Sequence, residues 1–247
     1  MTLALTEEQT MLAQTASAFI AENSPIARIR KLRDTKDPHG YSPELYKQMA
    51  ELGWTAVAFE EADGGMGLGL AGLILVTEAM GHGLAPEPIL SSIALAGQAL
   101  ALGGTDAQKS AWIESLIEGQ RVLALAHDEA GARASLAHIT TRATKAASGW
   151  SLSGTKTHVI DGFQADGYIV AARTSGGDDD AKGITLFLVP GDATGLTATR
   201  LQRIDTPRNA ANLTLKDVAV GEDAVVGQLD DGLLYPFPMF WAIEQPM

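Results

Sequence analysis

Cysteine is absent from the 247 residues, which excludes a disulfide framework, a thiolate nucleophile and a thiolate metal ligand. Basic residues are scarce: Lys and Arg number 18 against 30 Asp and Glu, for a formal net charge of −12. Non-specific attachment to nucleic acid or to an anionic membrane needs a basic footprint, so neither partner is expected and the acidic excess reads as a solvated surface. Missing too is any apolar run of about 18 residues, the length of a membrane span, and the first residues lack a basic stretch followed by an apolar one. The expected location is cytoplasmic.

What is there suffices for a core. With 46% hydrophobic and 19% charged residues, the composition is globular, and the length allows one large or two ordinary domains. Thr6-Glu-Glu-Gln9 is a capping box, and the apolar pairs that follow repeat at helical spacing up to Asn23-Ser-Pro25. Residues 26 to 41 are charged and lose periodicity at Asp37-Pro-His-Gly40, which predicts a short helix and then a loop. Ser42-Pro43-Glu44 supplies an N-cap, a proline at the first helical position and an acid in the first turn, with Gly53 beyond the last apolar residue. Apolar helical runs follow over about 71–82 and 89–102, and Thr105-Asp-Ala-Gln108 caps another to about Glu118.

From Arg121 the period changes. Segments 122–126, 137–143, 150–153, 157–160, 168–172, 184–189 and 212–220 are short, β-rich and divided by turn residues. In Trp150-Ser-Leu-Ser the apolar residues alternate, Gly154 ends the run, and Thr157-His-Val-Ile resumes as a second strand, a β-bend inside a sheet. The fold class expected is α+β: an N-terminal α-helical bundle over 1–120, then an antiparallel β-barrel or sandwich over 121–229, then an atypical hydrophobic tail over 230–247.

Two motifs mislead. Gly67-Leu-Gly69-Leu-Ala-Gly72 has dinucleotide-binding spacing after a possible strand Trp54 to Phe59, but Glu60, Glu61 and Asp63 sit where a pyrophosphate would approach, and Pro86 and Pro88 spoil the second strand. It reads as a glycine loop between helices. Asp178-Asp179-Asp180 lies in a solvent loop, 175–182, without further ligands at calcium-loop spacing, so no metal is expected.

The stretch from Glu129-Ala-Gly-Ala-Arg through Gly149-Trp-Ser-Leu-Ser-Gly-Thr-Lys156 to Lys182-Gly-Ile-Thr-Leu-Phe-Leu-Val-Pro190 closely resembles the middle β-domain of the acyl-CoA dehydrogenase family. The resemblance extends upstream through Thr6-Glu-Glu-Gln, Glu51-Leu-Gly-Trp, Glu60-Glu-Ala-Asp-Gly-Gly-Met-Gly-Leu and Gly104-Thr-Asp-Ala-Gln-Lys, and downstream through Leu215-Lys-Asp-Val-Ala-Val. It implies FAD as cofactor and an acyl-CoA thioester as substrate. Matched residue by residue, the flavin edge falls on Leu125, His127, Asp128 and Ala134, then on His158 and Ile160, with Asp161 and Gly162 completing the turn.

Departures accompany the match. Asp128 and Ala134 stand where the family pattern has threonine and serine, and His158-Val159-Ile160 replaces its Trp-Ile-Thr, so hydroxyls and an aromatic wall are lost and backbone N–H groups must carry more of the binding. Arg133 is close enough in sequence to neutralise Asp128. His127 beside Asp128 invites an acid–base reading, although neighbours on a strand point to opposite faces, which favours wall or core roles for both. His158 reads as a wall residue on similar grounds.

In the family a glutamate of a C-terminal helical domain removes the α-proton, and no residue here matches it; Glu244 lies in a segment unlike the family's. Pro236 and Pro238 forbid the long helix with which that domain begins. Three expectations follow. The chain is an acyl-CoA dehydrogenase-like flavoprotein that is incomplete or completed by a partner; it is a non-catalytic binding or scaffold subunit; or it is an inactive truncated fragment. FAD is expected to be weakly held or absent in the isolated chain. A homo-oligomer, or a hetero-oligomer with a full-length relative, is expected from the apolar tail, whose rings form a patch that monomers rarely expose.

Overall fold

The computed structural model describes residues 4–133, 135–203 and 208–234. Ala134 and most of the predicted tail lie outside the described residues.

Three of the helices begin where a side chain satisfies orphan N–H groups. In α1 (Glu7–Asn23) Thr6 Oγ1 accepts from Gln9 N while Gln9 Oε1 accepts from Thr6 N, each at 3.1 Å. After α2 (Ile26–Asp34), Ser42 caps α3 (Pro43–Glu51) by accepting from Leu45 N. Thr105 and Gln108 repeat the capping box on α6 (Asp106–Ile117). Between lie α4 (Gly69–His82), a π-helical segment Ile89–Gly97, and α5 (Gln98–Gly103), which continues it. The apolar run over 89–102 is thus helical, but its first part is wound with the wider i→i+5 spacing.

The dinucleotide decoy resolves into packing. Residues 54–59 are turns rather than a strand, with Trp54, Val57 and Phe59 buried. Gly72 lies inside α4, where a Cβ would meet Val57 Cγ1 at 2.6 Å, so glycine there lets the helix close on its neighbour.

Eight strands form one sheet: β1 (Leu123–Ala126), β2 (Arg142–Ala146), β3 (Gly149–Ile160), β4 (Gly167–Arg173), β5 (Ile184–Pro190), β6 (Leu196–Arg200), β7 (Ala210–Val220) and β8 (Val225–Val226). Their order is β6-β7-β3-β2-β4-β5-β8, with β1 pairing β4, so the sheet is not closed. Most ladders are antiparallel, but β1 runs parallel to β4 in register Leu123↔Gly167, and β2 meets β4 in parallel at Arg142↔Arg173. The α+β class stands, without a closed barrel.

The predicted pair 150–153 and 157–160 is a single strand, β3, whose register against β7 shifts between Leu152 and Gly154 and again between Lys156 and Val159. The β-bend is therefore two bulges. The predicted strand 137–143 begins only at Arg142, because the preceding residues turn around a buried cation. Arg173, 1% exposed, donates to the carbonyls of Ala137, Ile139, Asp178, Asp180 and Lys182 at 2.7–3.4 Å. The same guanidinium organises the acidic loop 175–182, whose Asp178 pairs with Arg142 and Asp179 with His138. β6, with its Thr-Ala-Thr alternation, was not predicted and forms the sheet edge beside β7.

One contiguous core runs from α1 to β8. Ser92 Oγ accepts from Leu123 N at 3.0 Å, tying the π-helix to β1. Gln108 Nε2 donates to the carbonyls of Asp223 and Val225 at 2.7 and 3.0 Å, tying α6 to the strand corner.

Candidate functional site

Three elements meet where β1 ends. The π-helix contributes Ser91 and Leu95, the exit of β1 contributes Leu125, His127 and Asp128, and the end of β3 contributes Thr157, His158 and Ile160; together they line a cavity of about 100 Å³. Five of the six residues predicted from sequence converge there, and the sixth, Ala134, lies outside the described residues. The bulge of β3 between Lys156 and Val159 accounts for the placement of His158, which has φ 53°, is exposed, and donates its N–H to Asn212 Oδ1 at 3.3 Å. A bulge inserts a residue into the strand and re-aims its side chain.

Beneath the cavity lies a buried ion pair. Lys156 Nζ sits 2.6 Å from Glu129 Oε1 and donates to His127 O at 3.2 Å, with side-chain exposures of 0% for Lys156 and 2% for Glu129. Glu129 also accepts from the N–H of Thr140 at 2.6 Å, the N–H of Thr141 at 3.0 Å and the Thr140 hydroxyl. Burial alone would raise the Glu129 carboxyl; Lys156 and these donors outweigh it and hold the group at about 2. Burial pulls Lys156 down to about 8 against the attraction of Glu129. The pair clamps the β1 exit onto β3, with Thr141 packed where a Cβ on Gly154 would meet its Cα at 2.6 Å.

At the rim, His127 Nδ1 is 3.5 Å from Asp128 Oδ1; the histidine is buried and the aspartate side chain 68% exposed. The contact with His127 holds the Asp128 carboxyl below its usual range, with burial opposing. Among the described residues no ion pair joins Asp128 to Arg133; the carboxylate lies against the adjacent imidazole instead. Backbone past Ala126 has left the strand, which lets sequence neighbours touch although strand neighbours could not.

Asp161 closes the turn after β3 at φ 55° and is 3% exposed. Ser91 Oγ donates to its Oδ2 at 2.6 Å, Arg208 Nη2 is 3.9 Å from the same oxygen, and Oδ1 has no hydrogen-bond partner. Burial pushes this carboxyl up to about 6, with Arg208 and Ser91 opposing.

Sequence reasoning missed Ser91, Leu95 and Thr157, and it assigned no partner to Lys156. The first two lack any local signal, since they reach the site across the α/β boundary. Lys156 had one: alternation from Trp150 and Leu152 puts it on the buried face, where a cation requires a partner.

Leu95, Leu125 and Ile160 give the cavity an apolar wall, and Ser91, Thr157 and His158 add polar groups. Such a set suits the edge of a flat heteroaromatic ring, and the hydroxyl of Thr157 stands in a site whose loop lacks the family's threonine and serine.

Residues 6–120 match the family model of the acyl-CoA dehydrogenase N-terminal domain, and residues 124–218 match that of the middle domain. Acyl-CoA dehydrogenase FadE12 of Mycobacterium tuberculosis is 30% identical over 94% of this chain and 59% of its own length. The human mitochondrial short-chain specific acyl-CoA dehydrogenase is 28% identical over 91% of this chain and 54% of its own. Among solved structures, the ChsE4-ChsE5 complex of Mycobacterium tuberculosis aligns with a TM-score of 0.83 at 27% identity, covering 94% of this chain and 60% of that one. The Tcur3481-Tcur3483 steroid ACAD aligns with a TM-score of 0.79 at 31% identity, covering 96% and 59%. The chain thus spans about three-fifths of the length of these relatives (59% of FadE12). Two family models that together take in most of the sequence, and a relative 30% identical over 94% of it, place the chain in the acyl-CoA dehydrogenase family.

Proposed function

We propose that this chain supplies the flavin-edge wall of an FAD-dependent acyl-CoA dehydrogenase and takes part in α,β-dehydrogenation of an acyl-CoA thioester. The observation that carries the reading is the convergence of Leu125, His127, Asp128, His158 and Ile160 on one cavity. Leu95, Leu125 and Ile160 would press on the ring edge, Thr157 would offer a hydroxyl to it while that of Ser91 stays on Asp161, and the Lys156–Glu129 clamp would hold the β1 exit in register with β3. FAD bound there would supply a hydride acceptor.

Asp128, ionised at the rim, would repel an electron-rich ring carbonyl, a mispairing that costs about 1–3 kcal/mol when a polar contact is unsatisfied. Weak retention of FAD by the isolated chain follows. No described residue is assigned the role of α-proton base; that group would come from helices outside the two matched domain models, in a further part of the polypeptide or in a partner chain. A two-chain arrangement with a full-length relative is part of the proposal, as is a cytoplasmic setting.

The test is a titration of the purified chain with FAD, followed by flavin fluorescence quenching, and then anaerobic addition of a panel of acyl-CoAs. Weak quenching, lost in Leu125→Asp, and no bleaching by the chain alone are expected, because loss of a general base costs about 10²–10⁴-fold. Bleaching at the rate of a complete enzyme would refute the dependence on a supplied base. Absence of quenching at any FAD concentration, with or without a full-length relative, would favour the scaffold reading.

A further inference from the structure

The charge of this acidic chain is not spread evenly. Of its 18 Lys and Arg residues, five fall within positions 26–36 against one acid, Asp34, so this stretch is +4 and leaves −16 on the remainder of a chain of net −12. The stretch is α2 and the turn that follows it.

Two of the five cations are engaged, Arg28 by Glu87 and Arg33 by Asp34. Arg30, Lys31 and Lys36 are exposed and form no ion pair among the described residues. Lys31 and Arg33 stand in the last turn, where a cation suits the helix dipole, but that accounts for neither Arg30 nor Lys36. Arg200 brings a further cation to the turn after α2, since its Nη1 donates to the carbonyl of Asp37 at 2.8 Å.

Positions 26, 30 and 33 share one face of α2, one and two turns apart. Ile26 heads that face and is 57% exposed. It also borders a cavity of about 310 Å³ between α1 and α4, whose walls include Ile20 and Ala79. Ser17, Ala21, Pro25 and His82 on the same walls are exposed, so the recess is open to solvent. An accessible apolar recess thus lies at one end of a run of exposed cations.

The complement of such a face is an apolar side chain followed, one to two helical turns on, by carboxylates. Exposed ion pairs alone contribute little; an apolar anchor seated beside them supplies affinity, and the charges steer and select. A nucleic acid or an anionic bilayer is charged far beyond the roughly 14 Å of α2 and would be repelled by the acidic remainder. A second copy on this face brings the same net −12 and is disfavoured on the same ground. A short acidic stretch of another polypeptide escapes that penalty.

We propose that the outer face of α2, with the recess beside Ile26, is a docking surface for a short acidic segment of a partner polypeptide, which seats an apolar side chain next to Ile26 and lays carboxylates on Arg30 and Lys31. The inference needs neither flavin nor thioester and goes beyond the dehydrogenase reading.

The experiment titrates the full chain into a fluorescein-labelled peptide, Leu-Glu-Glu-Leu-Glu-Glu, at pH 7.5, followed by anisotropy. Saturable binding is expected, at least tenfold tighter than that of the same peptide with Gln for Glu, and weakened at least tenfold between about 0.05 and 0.5 M salt as exposed charges are screened. Arg30→Gln with Lys31→Gln keeps good helix formers while removing both charges, and should weaken binding about tenfold at unchanged Tm. Ile26→Asp, an acid in the first turn of α2 and so tolerated by the helix, should abolish binding by removing the apolar wall. Equal affinity for both peptides, absence of saturation, indifference to salt or to either variant, or tighter binding of single-stranded DNA or phosphatidylserine vesicles than of the acidic peptide overturns the proposal.

Discussion

Lys156 and Asp161 are both buried charged groups close to the candidate site, yet they act in opposite senses. Lys156 is fully paired, so removing it strands Glu129: Lys156→Met should lower the unfolding free energy by about 3–5 kcal/mol, the usual cost of breaking a buried pair from one side. Urea denaturation at pH 7 checks this, and a loss below about 1 kcal/mol would mean that the Thr140 and Thr141 donors alone hold the carboxylate. Asp161, by contrast, is a carboxyl whose folded value, about 6, lies above its ordinary 3.8. Folding then favours its protonated form; that contribution is present in full below 3.8 and is lost as pH rises through 6. Asp161→Asn keeps an acceptor for Ser91 and tolerates the left-handed backbone, so it should stabilise by about 1–3 kcal/mol at pH 8 and have no effect at pH 4. Thermal melts of both proteins at the two pH values would decide, and a destabilised variant at pH 8 would show that Arg208 pairing outweighs burial.

Elements gain their positions from a few side chains that serve two structures at once. Gln108 closes the capping box of α6 with Oε1 and holds the Asp223–Val225 corner with Nε2. Gln108→Ala removes a cap contact and leaves two carbonyls unpaired, a loss of about 2–3 kcal/mol expected in chemical denaturation. Gln108→Glu should be at least as damaging, because it keeps the cap acceptor but turns a carboxylate toward those carbonyls; a neutral outcome would show that water replaces the tether. The ends of α1, α3 and α6 were legible in sequence because a cap is a local event within four residues. The π-helical winding over Ile89–Gly97 was not, since its apolar spacing also satisfies an α-helix. Nor were the two register shifts between β3 and β7, one with its extra residue on β7 and one on β3, where the sequence suggested a break at Gly154 and the partner strand bridges it.

At the scale of the molecule, helices and sheet share one core, and the ties Ser92–Leu123, Ser91–Asp161 and Gln108–Val225 cross between them. Calorimetry should therefore show a single transition with equal calorimetric and van't Hoff enthalpies. Two separated peaks would mean that the helical part and the sheet unfold independently. Along the chain, the α-to-β switch near Arg121, the capped helices, the unusability of the Gly67 motif and the family itself were determined by the sequence alone, because composition, period and motif spacing are properties of neighbours. Tertiary structure alone decided that Ser91 reaches Asp161 across 70 positions, that Lys156 finds Glu129 across 27, and that Asp128 turns to His127 rather than Arg133. It also decided that Ile26 borders a recess between α1 and α4. Such meetings depend on how layers stack and where a strand bulges, and no local period encodes them.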